Sequence, residues 1–270
     1  MEINTTTISG LRISYAESRK TNAESLLLLS PLPENLDAFI PIWQGLADKF
    51  DLVAVDLPNF GNSQSSSVLL TPGSLGHFLF SIIEHFGLGP VHVIGPDIGT
   101  TVALFAAQAK PAKIKSIVAG SAACVYPILA GGILENMILD PTLDGLKKFR
   151  SADIINGALD NIKKYDLPSE RRKGYVESYA DGRFWDTMLF LKSLPSELPQ
   201  LQLSAIDTPV LILWGANDPL AIPENGRLLH GQLKNSELRM LDCGHYVWED
   251  EHEAYLGFII TWVEGGYLKN

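Results

Sequence analysis

The strongest candidate for a catalytic residue is Asp97, which stands in the middle of a short glycine-flanked segment. Residues 95–99 have the sequence GPDIG and lie between an apolar run and a segment with helical spacing. This is the nucleophile-elbow pattern G-x-Nu-x-G, in which small neighbours permit a tight turn that exposes the nucleophile. The N-terminus of the following helix favours an anion there. The alternative is that Asp97 only caps a helix starting near Thr100, because Asp is a preferred N-cap residue.

Two further polar residues stand where a catalytic triad needs them. Asp218 follows an apolar run at 210–213, and His245 follows another at 238–241. The order nucleophile, acid, base is one in which such triads occur. In this interpretation His245 takes a proton from water, and Asp218 orients the imidazole and stabilises its charged form. The alternatives are that Asp218 forms the turn before Pro219 and that His245 is a loop histidine without a partner.

These residues need a sheet that brings the ends of its strands together. Short apolar runs closed by turn residues alternate with segments of helical spacing. Runs without polar alternation are typical of strands buried on both faces, as in a parallel sheet. The pattern therefore predicts an α/β protein with a mostly parallel, doubly wound sheet. The predicted strands are 26–29, 52–55, 91–94, 117–119, 210–213 and 238–241, and the clearest helices are 78–86 with a cap at Gly87, 100–110 and 255–263.

Residues 121–200 interrupt this alternation. The segment has helical spacing, several aromatic residues and no apolar run typical of a buried strand. An ordinary pair of crossover helices is the alternative, but the segment is too long for one. We therefore predict a helical cap at 121–200, inserted into a core formed by 1–120 and 201–270.

Composition narrows the class of partner. The net charge is −10, from 31 acidic and 21 basic residues, which disfavours nucleic acid and anionic membrane surfaces as partners. The two cysteines, Cys124 and Cys243, make neither a disulfide framework nor a metal site, and no motif indicates a cofactor. The first residues lack the basic and apolar segments of a secretory signal, so we expect a cytoplasmic location. The expected partner is a small-molecule substrate, and a homodimer is left open.

Together these motifs resemble the α/β-hydrolase superfamily over essentially the whole chain. Residues 56–63 have the sequence DLPNFGNS, which is similar to the family segment D-x-P-G-x-G-x-S, with Asn59 in a glycine position. An Asp at the elbow is similar to epoxide hydrolases, haloalkane dehalogenases and fluoroacetate dehalogenases. The resemblance implies that the Asp97 carboxylate attacks an sp³ carbon and forms an ester. His245 then activates the water that hydrolyses the ester.

The resemblance also implies an oxyanion hole with two backbone donors. One donor is the N–H of Ile98. The other lies in a loop that usually reads His-Gly-x-Pro, whereas residues 30–33 of this chain read SPLP, so the donor maps to Leu32. Glu34 follows directly, and its side chain is expected to point to solvent rather than to the site.

Subfamily features favour an epoxide hydrolase by elimination. The chain has Ile98 where haloalkane dehalogenases place a halide-binding Trp and where fluoroacetate dehalogenases place an Arg. Epoxide hydrolases use cap tyrosines as donors to the epoxide oxygen, and Tyr126 and Tyr179 are the favoured candidates, with Trp185 as a further binding residue. We therefore predict an epoxide hydrolase-like enzyme that acts on a small hydrophobic substrate. The alternatives are a haloalkane or haloacid dehalogenase, a lyase or cyclase with His245 as base, and a ligand-binding protein.

Overall fold

A computed structural model of the chain describes residues 1–267. Its centre is an eight-stranded sheet with the strand order β1-β2-β4-β3-β5-β6-β7-β8. Strands β3 to β8 run parallel, whereas β2 is antiparallel to both β1 and β4. The predicted mostly parallel sheet is therefore confirmed. The strands are β1 (Asn4–Ile8), β2 (Leu11–Ser18), β3 (Ser25–Leu29), β4 (Asp51–Val55), β5 (Val91–Pro96), β6 (Ile114–Gly120), β7 (Val210–Gly215) and β8 (Ser236–Leu241).

All six predicted strands lie inside observed strands, and in five of them every residue of the apolar run is buried. The exception is 238–241 in the edge strand β8, where only Leu241 is buried. Every residue of β4, β5 and β7 is buried. The first two strands are not among those predicted. In β2, buried Ile13 and Ser14 alternate with more exposed positions such as Arg12, so no continuous apolar run marks this strand.

Within residues 1–267, ten α-helices flank or follow the sheet. Helices α2 and α3 pack on each other, and α1 packs on α10. The predicted glycine cap of α2 is confirmed, since Gly87 has φ +61° directly after the helix end. The helices are α1 (Ile40–Ala47), α2 (Pro72–His85), α3 (Ile98–Ala109), α4 (Gly132–Leu139), α5 (Ser151–Leu159), α6 (Ser169–Ser178), α7 (Arg183–Glu197), α8 (Glu224–Gln232), α9 (Val247–Asp250) and α10 (His252–Glu264). No helix within residues 1–267 is long and apolar enough to cross a membrane.

Between β6 and β7 the chain forms α4 to α7 and no strand. Helix α7 packs on both α4 and α2, which joins this segment to the sheet-flanking helices. We continue to interpret 121–200 as a cap, and its boundaries with the core remain a prediction.

The loop after β4 explains why Asn59 can stand where the family segment D-x-P-G-x-G-x-S has a glycine. Asn59 has φ +77°, a left-handed conformation that Gly adopts readily and that Asn tolerates better than most residues. Its side chain also fixes the loop, since Nδ2 donates to the Leu69 carbonyl (2.6 Å) and Oδ1 accepts from the Ser66 N–H (2.7 Å). Asparagine therefore replaces the glycine of the family segment without loss of the turn.

Candidate active site

Asp97 occupies a sharp turn between β5 and α3. Its backbone has φ +50° and ψ −125°, a strained conformation for a residue with a side chain, costing on the order of 1–3 kcal/mol. The flanking glycines permit it: a Cβ on Gly95 would lie 2.6 Å from the Gly99 carbonyl oxygen, and one on Gly99 would lie 3.1 Å from Leu29 Cβ. The Asp97 side chain makes no capping hydrogen bond to α3. The turn therefore presents the carboxylate at the carboxyl edge of the sheet and does not use it as a helix cap.

The structure brings Asp97, Asp218 and His245 together. His245 Nδ1 lies 2.9 Å from Asp218 Oδ2, and His245 Nε2 lies 3.9 Å from Asp97 Oδ1. The other Asp218 oxygen accepts the N–H groups of Leu220 (2.9 Å) and Ala221 (3.1 Å), which holds the carboxylate in place. The first contact fixes the orientation of the imidazole. The second is longer than a hydrogen bond, so His245 and Asp97 are not directly bonded.

The predicted oxyanion donor Leu32 points at Asp97 itself. The Leu32 N–H donates to Asp97 Oδ2 over 2.9 Å, and the Ile98 N–H is close enough to the carboxylate to lower its pKa. The Ser30–Pro33 loop therefore still supplies its donor despite the loss of the usual His and Gly. One carboxylate oxygen is held by the backbone, and the other faces His245.

Burial and charge shift the pKa values of both groups. Burial raises the pKa of Asp97 above its ordinary value, although the His245 charge and the Leu32 and Ile98 N–H groups partly offset it. Burial alone would lower the pKa of His245. The charge and hydrogen bond of Asp218, together with the Asp97 charge, outweigh burial, and the pKa of His245 is raised. The site therefore stabilises a protonated imidazole between two carboxylates.

This shift predicts a pH dependence for any step in which His245 acts as a base. Only the neutral imidazole accepts a proton, so the rate should rise with pH and level off above the His245 pKa. That inflection should lie above the ordinary value of about 6.5. Single-turnover rates between about pH 5 and pH 9 measure it.

Asp218→Asn is the control for this assignment. Removing the Asp218 charge should move the inflection to lower pH, because that charge raises the His245 pKa. An inflection that stays in place in the variant would assign it to a different group.

The tyrosines favoured from the sequence do not reach the site. Tyr126 is 56% exposed, so its hydroxyl lies at the protein surface. Tyr179 is fully buried, but its hydroxyl donates to the Glu34 carbonyl (2.8 Å) and accepts from the Gly61 N–H (3.0 Å). Trp185 is half-buried and packs edge-to-face on Phe184, which does line the cavity described below. The predictions of Tyr126 and Tyr179 as substrate donors are wrong, because helical spacing in this segment did not indicate which residues face the core.

The expectation that Glu34 points to solvent is also wrong. Glu34 is fully buried, and both of its carboxylate oxygens accept from Trp248 Nε1 (3.0 and 3.2 Å). Glu249 is also fully buried, and its Oε1 accepts from the Tyr175 hydroxyl over 3.0 Å. Burial and the nearby Glu249 charge raise the pKa of Glu34 well above its ordinary value. Burial raises the pKa of Glu249 to about 7. Two such groups side by side favour a protonated carboxyl at neutral pH.

Tyr246 is a site residue that the sequence analysis missed. It follows His245 directly, is 1% exposed and packs edge-to-face on the His245 ring at 5.0 Å. It lines the same cavity as Asp97 and His245. Its position next to the candidate base was the signal that could have identified it.

A cavity of about 70 Å³ lies over Asp97 and His245. Asp97, His245 and Tyr246 are its polar lining residues. The rest of the lining is apolar and comes mainly from α4, α5 and α7: Leu32, Pro33, Ile133, Leu134, Met137, Ile154, Ile155, Ala158, Phe184, Met188, Leu191 and Leu220. Among the described residues no group of His, Cys, Asp and Glu is arranged to hold a metal ion. The cavity therefore suits a small, largely apolar molecule.

Comparison with known proteins identifies the family. A family model described as alpha/beta hydrolase fold matches residues 24–251. An uncharacterized hydrolase of Bacillus subtilis is 26% identical over 268 residues, covering 96% of this chain and 96% of that protein. A 2-hydroxy-6-oxononadienedioate/2-hydroxy-6-oxononatrienedioate hydrolase of Burkholderia vietnamiensis is 26% identical, covering 88% of this chain and 86% of that protein.

Solved structures agree on the fold. A haloalkane dehalogenase from Bradyrhizobium elkani matches with a TM-score of 0.83 at 18% identity, covering 98% of each chain. The predicted α/β-hydrolase fold is therefore confirmed. Because the family model spans most of the sequence, the chain belongs to the α/β-hydrolase family.

Proposed function

We propose that this protein is a hydrolase in which the Asp97 carboxylate attacks an sp³ carbon of a small epoxide. The observation that carries the proposal is the hydrogen bond from the Leu32 N–H to Asp97 Oδ2 (2.9 Å). In a serine hydrolase the oxyanion hole receives the substrate's carbonyl oxygen. Here an oxygen of the enzyme's own carboxylate occupies that position. This arrangement suits a mechanism in which the Asp97 carboxyl forms an ester with the substrate and this ester is then hydrolysed.

The first step uses the other carboxylate oxygen. Asp97 Oδ1 faces His245 and forms the new bond to an epoxide carbon, while the bond from that carbon to the ring oxygen breaks. The electron pair of the broken bond goes to the ring oxygen, which takes a proton. The product of this step is an ester between Asp97 and the substrate carbon.

The second step hydrolyses the ester. His245 takes a proton from water, and the hydroxide attacks Asp97 Cγ. Negative charge develops on Oδ2, to which the Leu32 N–H already donates, and the Ile98 N–H is the second donor of this proposal. The intermediate then expels the substrate oxygen, which takes the proton from His245 and leaves as a diol. Asp97 keeps an oxygen atom from water, and the second proton of that water leaves the new carboxyl group and replaces the one that the ring oxygen took in the first step, so the free carboxylate is restored.

Tyr246 supports an epoxide as the substrate over a halide. Epoxide opening needs a proton donor for the ring oxygen, whereas a halide leaves without one. Tyr246 lines the cavity beside Asp97 and is 1% exposed. Burial raises its pKa well above the ordinary value, so it stays protonated and able to donate. The described cavity lining contains no tryptophan that would bind a halide.

Replacing Tyr246 with Phe tests this assignment. Loss of the donor should lower the rate of epoxide opening by about 10²-fold. Any release of halide from 1-chloroalkanes should change little, because that reaction needs no proton. Diol formation from 1,2-epoxyalkanes and halide release are measured on the wild type and on Tyr246→Phe. Tyr126→Phe is the matched control, since Tyr126 is exposed.

The outcomes separate the candidate functions. Diol formation that depends on Tyr246 supports the epoxide assignment. Halide release that exceeds diol formation would favour a dehalogenase. A wild type that turns over neither class would favour a lyase, a cyclase or a ligand-binding protein. The cytoplasmic location and a homodimer remain predictions.

A further inference from the structure

A second, larger pocket adjoins the cavity over Asp97. It has a volume of about 350 Å³ and lies between α4, α5 and the loop after β7. Four residues line both spaces and form the wall between them: Ile133, Ile154, Ala158 and Leu220. A molecule bound at Asp97 therefore contacts residues that also line the second pocket.

The second pocket is suited to hydrocarbon. Leu146 and Phe149 add apolar surface to the shared residues. Its two polar lining residues already have partners: Asp153 accepts from Arg150 (2.6 and 2.9 Å), and the Asn161 amide donates to the Ala158 carbonyl (3.0 Å). A chain without polar groups can enter this pocket without leaving a polar partner unpaired.

We propose that this second pocket binds the alkyl chain of a terminal epoxide whose reactive carbon lies at Asp97. The inference rests on the proposed function and names its substrate class. The catalytic cavity alone, at about 70 Å³, is small for a ligand site, which usually measures ~300–1,000 Å³. With the second pocket of about 350 Å³, the site reaches that range.

A larger side chain at position 157 would fill this pocket. Gly157 lies inside α5 and lines the pocket, and a Cβ built on it meets no atom within 4 Å. A helical side chain leans toward the preceding turn. For residue 157 that turn carries Asp153 and Ile154, which line the same pocket. Gly157→Leu should therefore fill the pocket without a clash, and leucine favours the helix over glycine.

The kinetic test compares 1,2-epoxyalkanes of increasing length. In the wild type, kcat/KM should rise by about fourfold for each methylene that enters the pocket. In Gly157→Leu this rise should stop at short chains, so long-chain substrates lose about tenfold or more while the shortest is little affected. Gly174→Leu, in α6, is the matched control, because a Cβ there also meets no atom within 4 Å. Equal length profiles in both variants would overturn the inference.

A binding test separates this inference from the proposed chemistry. Calorimetry measures the Kd of 1,2-alkanediols of the same lengths, without any turnover. The wild type and Gly174→Leu should bind longer diols more tightly, and Gly157→Leu should lose that gain. Tight, length-dependent diol binding by a wild type that hydrolyses no epoxide would refute the proposed function and uphold the pocket. Binding that does not depend on length in the wild type would overturn the pocket.

Discussion

Asp97→Asn should abolish the hydrolysis of epoxides, with a loss in kcat of roughly 10⁴-fold or more. A carboxamide oxygen is a far weaker nucleophile than a carboxylate, so the ester does not form. The replacement keeps the geometry, because Asn has the same shape as Asp and its side-chain oxygen can still accept the Leu32 N–H. Steady-state diol formation measures the loss.

The thermal stability of Asp97→Asn shows whether a loss of activity comes from unfolding. The raised pKa of Asp97 means that the folded protein disfavours the charged carboxylate. Its folded pKa lies above the unfolded value, so the charge costs stability once the pH exceeds the unfolded pKa. Asp97→Asn should therefore have a Tm at pH 8 that equals or exceeds that of the wild type. A variant that keeps activity within tenfold of the wild type would contradict Asp97 as the nucleophile.

His245→Gln should stop the cycle after its first step. Asp97 is still free to attack, but no base activates water, so the steady-state rate should fall by about 10²–10⁴-fold. Rapid mixing with an epoxide should then show a burst in which one equivalent of substrate is consumed per enzyme. His230→Gln is the control, because His230 is an exposed residue bonded to Ser236 (2.8 Å), and it should turn over normally. A slow reaction without a burst would place His245 in the first step instead.

The parts of this site that follow from local sequence could be predicted. Gly95 and Gly99 are needed wherever a tight elbow carries Asp97, so the pattern itself indicates the turn. Asp218 and His245 follow the neighbouring parallel strands β7 and β8, whose carboxyl ends share one edge of the sheet, and this places them near Asp97.

The parts that depend on long-range packing could not be predicted in the same way. Glu34 is buried because Trp248, 214 residues away, supplies the N–H that its carboxylate needs. Nothing near Glu34 in the sequence indicates that partner. The positions of the Tyr126 and Tyr179 side chains depend on which side of the helical segment faces the sheet. No pattern of apolar residues in the sequence indicates that side. The triad therefore follows from the sequence, whereas the cavity wall required the structure.

The most direct test is the mass of the Asp97 peptide after His245→Gln has reacted with a 1,2-epoxyalkane. If Asp97 is the nucleophile and His245 activates the hydrolytic water, the intact protein should gain the mass of one epoxide, and digestion should place that mass on the peptide containing Asp97. The double variant Asp97→Asn with His245→Gln should gain none. An unmodified Asp97 peptide, under conditions in which the wild type produces diol, would contradict the ester mechanism and would require a reaction in which Asp97 forms no covalent bond to the substrate.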